Sequence, residues 1–111
     1  MKYANIKIYN IEIENKYYDY DWDDPRYDVN DKIKTLNKNY EYNNIDVNDL
    51  NYKLEDCLDE IGKEYCNNLL DITLDDIIIY CNISVICNES EKNYYVSYDP
   101  YLMSINLKSK I

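Results

Sequence analysis

The side chains of this sequence with the most chemical content are acids. Asp19, Asp21 and Asp23 alternate with Tyr18, Tyr20 and Trp22, and Asp24 and Asp28 follow. In an extended chain, residues two apart share a face at roughly 6.6 Å, a spacing comparable with that of neighbouring phosphates on a nucleic-acid strand. Three carboxylates in such a row would imitate three phosphates. The interleaved rings would add rigid contact area of the kind favoured at interfaces, although Trp22 and some tyrosines would also serve simply to anchor the segment to a core. The same aspartates occupy the first three alternating ligand positions of a calcium loop. However, Asp24 stands where that loop needs Gly, and Asn30 where it needs a bidentate Glu. Metal binding is therefore not expected.

A second set of acids falls in a helical pattern. Leu50, Leu54, Leu58, Ile61, Tyr65 and Leu69 recur at spacings of 4, 4, 3, 4 and 4, which predicts a helix over about 48–70 with Asp46 or Asn48 as its cap. At 100° per residue the apolar stripe, with Cys57, occupies one sector. Asp49, Glu55, Asp56, Asp59, Glu60 and Glu64 take most of the opposite side. The i,i+4 pairs Glu55 with Asp59, Asp56 with Glu60, and Glu60 with Glu64 repel each other, and Glu64 lies toward the unfavourable end of the helix dipole. A face shaped by solubility alone more often mixes signs. A solvated acidic helix is the plain reading, and a partner-binding face the functional one.

Twenty-two acids against twelve bases give a net charge of −10. All of it resides in two segments, 14–31 and 46–70, each at −5, while the remainder is neutral. Such a surface repels nucleic acid and anionic lipid, so neither direct nucleic-acid binding nor membrane binding is expected. It should instead attract basic proteins. The absence of His removes the usual general base and zinc ligand, and a single Gly excludes glycine-rich phosphate cradles. Cys57, Cys66, Cys81 and Cys87 form no CxxC pair, so structural zinc is not expected, and Cys66 has no neighbouring base to make it a nucleophile. No catalytic residue and no cofactor are expected. No stretch has the form of a signal peptide or a bilayer span, which leads to the expectation of a cytoplasmic protein with reduced thiols.

With 111 residues, 46% hydrophobic, the chain should form a single domain over 1–111. Ala4, Ile6 and Ile8, then Ile11 and Ile13 after a phase slip, predict a strand over 3–13 with a bulge near Tyr9 and Asn10. Asp24-Pro25 breaks the acidic loop that follows. A short helix is expected over 31–37, with Ile33 and Leu36 inward, then a polar connection to about residue 46. After the long helix, the apolar odd positions from Ile77 to Cys87 predict a buried strand. A turn over 88–93, a strand over 94–98, a turn at Asp99-Pro100 and a strand over 101–107 complete an antiparallel meander. The expected fold is α+β: an N-terminal strand, an acidic loop, and one long amphipathic helix packed on a C-terminal three-stranded meander. Gly62 should weaken that helix by up to ~1 kcal/mol relative to Ala.

In size, absence of His and concentrated acidity, the chain resembles small phage-encoded inhibitors that mimic nucleic acid, among them anti-CRISPR proteins and inhibitors of DNA-repair or restriction enzymes. The resemblance is compositional and has no residue-by-residue correspondence. It implies occupation of the groove of a basic nucleic-acid-binding protein such as a CRISPR effector nuclease. The residues themselves place the expected contact at Tyr18, Asp19, Tyr20, Asp21, Trp22, Asp23, Asp24 and Asp28, with Glu55, Asp56, Asp59 and Glu60 as a second patch. An immunity protein or antitoxin neutralising a basic toxin would need the same acidic surface. An acidic scaffold would need no tight basic partner.

Overall fold

The structure is a computed structural model in which residues 2–16, 33–67 and 72–110 are described. The chain is α+β. Its elements run β1 (Tyr3–Asn15), β2 (Ile33–Leu36), β3 (Tyr40–Asp46), α1 (Leu50–Cys66), β4 (Ile77–Cys87), β5 (Ser90–Asp99) and β6 (Ser104–Ser109). The strands form one antiparallel sheet in the order β2-β1-β4-β5-β6, and β3 pairs with β1 on the same side as β2. The helix lies across one face.

That face is set by alternation. Ala4, Ile6, Ile8, Ile11 and Ile13 of β1, Ile77, Ile79, Cys81 and Ile83 of β4, and Val96 and Tyr98 of β5 are buried. Leu54, Leu58 and Ile61 of α1, each at most 1% exposed, close over them. Each Ile, Leu or Val among them contributes roughly 1.5–3 kcal/mol by leaving water. The expected phase slip in β1 is a bulge. Register with β4 shifts between Tyr9 and Glu12, where Asn10 adopts a positive φ of 52°. The extra residue returns Ile11 and Ile13 to the helix side.

Gly62 has a reason in packing. A Cβ there would lie 2.5 Å from the Leu74 side chain and 3.2–3.3 Å from Ile79 and Ile77, so the helix approaches the sheet as closely as a missing side chain allows. The propensity lost in the helix is offset by that approach. Of the two caps expected for the helix, Asp46 caps a short 3-10 turn, Val47–Asp49, ahead of it, its carboxylate accepting from the Asn48 N–H at 3.0 Å; the N-cap of α1 itself is Asp49, without a side-chain cap bond.

Four local expectations are corrected. Residues 33–36 form a strand rather than part of a short helix, because Ile11 to Glu14 of β1 offer an open edge that pairs with them. The supposed polar connection contains β3, whose Tyr40 and Tyr42 face the core. A second slip, at Asn43 and Asn44 (φ 57°), hid its alternation. The helix ends at Cys66, with Asn67 as its C-terminal cap, rather than near Leu70. In the meander, Asn88 and Glu89 alone make the first turn, both at positive φ, so β5 starts at Ser90 and takes in the polar 91–93. The next turn runs from Pro100 to Met103, which moves the last strand to Ser104–Ser109.

Candidate functional site

The carboxylates of α1 do two different things. On the flank toward β5, Asp59 accepts a 2.7 Å hydrogen bond from the Tyr98 hydroxyl, whose residue is 1% exposed. Burial, and then the Asp59 carboxylate beside it, push the Tyr98 hydroxyl well above its ordinary tyrosine value. On the flank toward β3, Glu64 takes a hydrogen bond from Tyr40 at 3.1 Å and an ion pair with Lys38. These donors, Lys38 first, hold the Glu64 carboxyl below its ordinary value. Both acids fasten the helix to the sheet.

Tyrosine suits this role where phenylalanine could not. A ring buried under the helix can still deliver its hydroxyl to the rim, where a carboxylate accepts it. Tyr80 repeats the arrangement on the opposite sheet face, donating to Glu14 at 3.0 Å. The chain has fifteen Tyr and no Phe. Part of that bias is thus structural.

Asp56 and Glu60 are exposed and Glu55 is half-buried, and among the described residues none of the three is in an ion pair. Asp56 and Glu60 stand one turn apart on the outward side, as the helical spacing required. Of the four helix acids expected to make a patch, Glu55, Asp56 and Glu60 are unpaired among the described residues. Asp59 is already committed to Tyr98. Sequence periodicity set Asp59 among the acids opposite the apolar stripe; the structure puts it on the flank, half-buried against a tyrosine that reaches up from β5.

The expected contact residues Tyr18, Asp19, Tyr20, Asp21, Trp22, Asp23, Asp24 and Asp28 lie outside the described residues, as does the calcium-loop pattern. The positions from which that segment departs are defined. Lys16 is pinned at the end of β1: its backbone N–H donates to the Asp76 carbonyl, and its ammonium reaches the Asp75 carbonyl at 3.0 Å and Asp99 at 2.8 Å. The chain re-enters at Ile33, paired with Glu14. Both roots sit at one end of the sheet. The last two turns of α1 lie at that same end, since Gly62 packs on Ile77 and Ile79, the partners of Asn15 and Ile13.

The thiols show no sign of activation. All four are free; burial, with Asp76 second, pushes Cys66 up to about 11, and burial alone pushes Cys81 up to about 12. Cys66 and Cys81 stay protonated at neutral pH. Among the described residues no cluster of three or more metal-ligating side chains occurs, and no helix is long and apolar enough to cross a membrane. A cleft of about 380 Å³ between β2, β3 and α1 is lined by Leu36, Tyr40, Ile61 and Tyr65, with Lys34, Lys38 and Glu64 at its mouth. Its charged groups include the Lys38 and Glu64 pair that fastens the helix. No family model matches this chain, and neither does any curated protein or solved structure.

Proposed function

We propose that the protein is an acidic inhibitor that binds the basic nucleic-acid groove of a nuclease, in the manner of an anti-CRISPR nucleic-acid mimic, and that it acts in the cytoplasm of the cell holding that nuclease. The observation that carries this reading is the outward carboxylate pair of α1, Asp56 and Glu60, with half-buried Glu55 beside it, none of them in an ion pair with a described residue. Glu60, at the start of the last two turns of α1, lies toward the end of the sheet where the other −5 segment has its roots. Shape supports it too. The Cα envelope measures 52 × 24 × 23 Å with a radius of gyration of 15.2 Å, where a globular chain of this length would have about 13 Å. A 52 Å rod matches roughly 15 base pairs of duplex at 3.4 Å each.

Titrating the protein into a guide-loaded CRISPR effector tests the idea, with DNA binding and cleavage followed at several salt concentrations. Competition for the groove requires that cognate DNA affinity fall in proportion to inhibitor and that inhibition weaken with salt, because exposed charges are screened beyond roughly 10 Å at 0.1 M. Replacing Asp19, Asp21, Asp23 and Asp24 together by Asn should slow association further than the Asp56→Asn, Glu60→Gln pair does. Saturating inhibitor that leaves nucleic-acid affinity unchanged would overturn the competitive reading.

A further inference from the structure

The two edges of the sheet are built differently. The β2 and β3 edge is interrupted between Leu36 and Tyr40, bulged at Asn43 and Asn44, and carries Lys34, Lys38 and Glu41. Breaks and bulges of this kind prevent a foreign strand from pairing. By contrast β6 runs in unbroken register with β5 from Ser104 to Ser109, without proline or bulge. Five of its six residues are exposed, no further described strand pairs with it, and half of its backbone N–H and C=O groups point away from β5. Leu107 is 42% exposed, and the turn leading into the strand displays Tyr101, Leu102 and Met103 at 66–70%. From Pro100 to Lys110 there is no acid, in a chain with twenty-two.

We propose that β6 is a self-association edge, on which a second copy of this chain adds its own β6 antiparallel across a two-fold axis and continues the sheet. Charge argues for this place. Over most of its surface a −10 chain meets its copy with repulsion, and this edge carries no carboxylate. The occupant is further specified by register. Opposed residues in an antiparallel pair lie on one face, so Ile105 and Leu107, on the helix side, must face apolar residues, and Asn106 and Lys108, on the other side, polar ones. Centring the two-fold on Asn106 sets Ile105 against Leu107 of the second copy twice. It also sets Lys108 against Ser104, so no lysine faces a lysine. Centring on Leu107 instead would leave Ile105 against Ser109. Main-chain bonds along the edge and the paired Ile105 and Leu107 side chains supply the affinity. This inference is independent of the proposed inhibition.

Sedimentation equilibrium of the full chain over a wide concentration range tests it, with a mass moving from 13.4 kDa to twice that value expected. Leu107→Lys should abolish the dimer. Asn106→Asp would bring two carboxylates together on the axis while keeping the shape of the side chain. It should weaken association about tenfold or more at neutral pH, with recovery once the carboxylates are protonated. Far-UV circular dichroism confirms that each variant is folded, and the pH rescue stands even if Leu107→Lys is not. Hydrogen exchange should slow along 104–109 as concentration rises. A monomer at every concentration would overturn the proposal, as would a dimer indifferent to Asn106→Asp. A monomer that protects β6 only on adding an acidic β-forming peptide would assign the edge to a different partner.

Discussion

The flanks of α1 and its outward ridge carry the same kind of side chain to opposite effect. On the flanks, Asp59 and Glu64 receive tyrosine hydroxyls from the sheet; on the ridge, Asp56 and Glu60 are exposed one turn apart, with no ion pair to a described residue. A carboxylate therefore stabilises or strains this helix according to whether a donor lies beneath it. The charge pattern of the helix combines two functions, docking and display.

The sharpest way to break that distinction is Asp59→Ala. It strands a buried hydroxyl and should cost about 1–3 kcal/mol in chemical denaturation, whereas Tyr98→Phe removes the donor as well and should cost only about 1 kcal/mol. A double-mutant cycle should return a coupling of roughly 1 kcal/mol. Additive effects would show that the two do not act together.

Alkaline titration sharpens the same contrast. Because the folded Tyr98 hydroxyl lies above its ordinary value, its contribution to stability is complete below the unfolded tyrosine value near 10, and is lost as pH rises from there through the folded value. Tyr98→Phe should flatten the alkaline fall in melting temperature. An identical fall in both proteins would remove Tyr98 as its cause.

Glu64 should give a smaller effect of the opposite sign in pH. Its lowered carboxyl contributes above the ordinary carboxylate value, and that contribution disappears as pH falls through the folded one. Glu64→Gln should therefore lower the melting temperature slightly at neutral pH, less than Asp59→Ala does, and not at all in strong acid. Added salt should shrink the difference, because Lys38 and Glu64 are both exposed.

The ridge should respond least in stability. Asp56→Asn with Glu60→Gln relieves an i,i+4 repulsion and should leave unfolding free energy within about 0.5 kcal/mol, or slightly raised. A loss as large as that of Asp59→Ala would mean that the ridge also docks the helix.

Much of this architecture follows from local pattern. The period-two runs of β1 and β4, the bulge at Asn10, the stripe of α1 and the Asp46 cap of the turn before it each depend on neighbours a few residues away, so the chain itself specifies them. The α+β layering follows, since one apolar helix stripe and one apolar sheet face have only each other to cover. Tertiary structure alone decided that 33–36 and 40–46 become strands, because their conformation depends on the free edge of β1, distant in sequence. It also divided the helix acids, since Tyr40 and Tyr98 arrive from strands 24 and 39 residues away from the carboxylates they meet. Periodicity determines which way a side chain points, and only the assembled fold determines what it meets there.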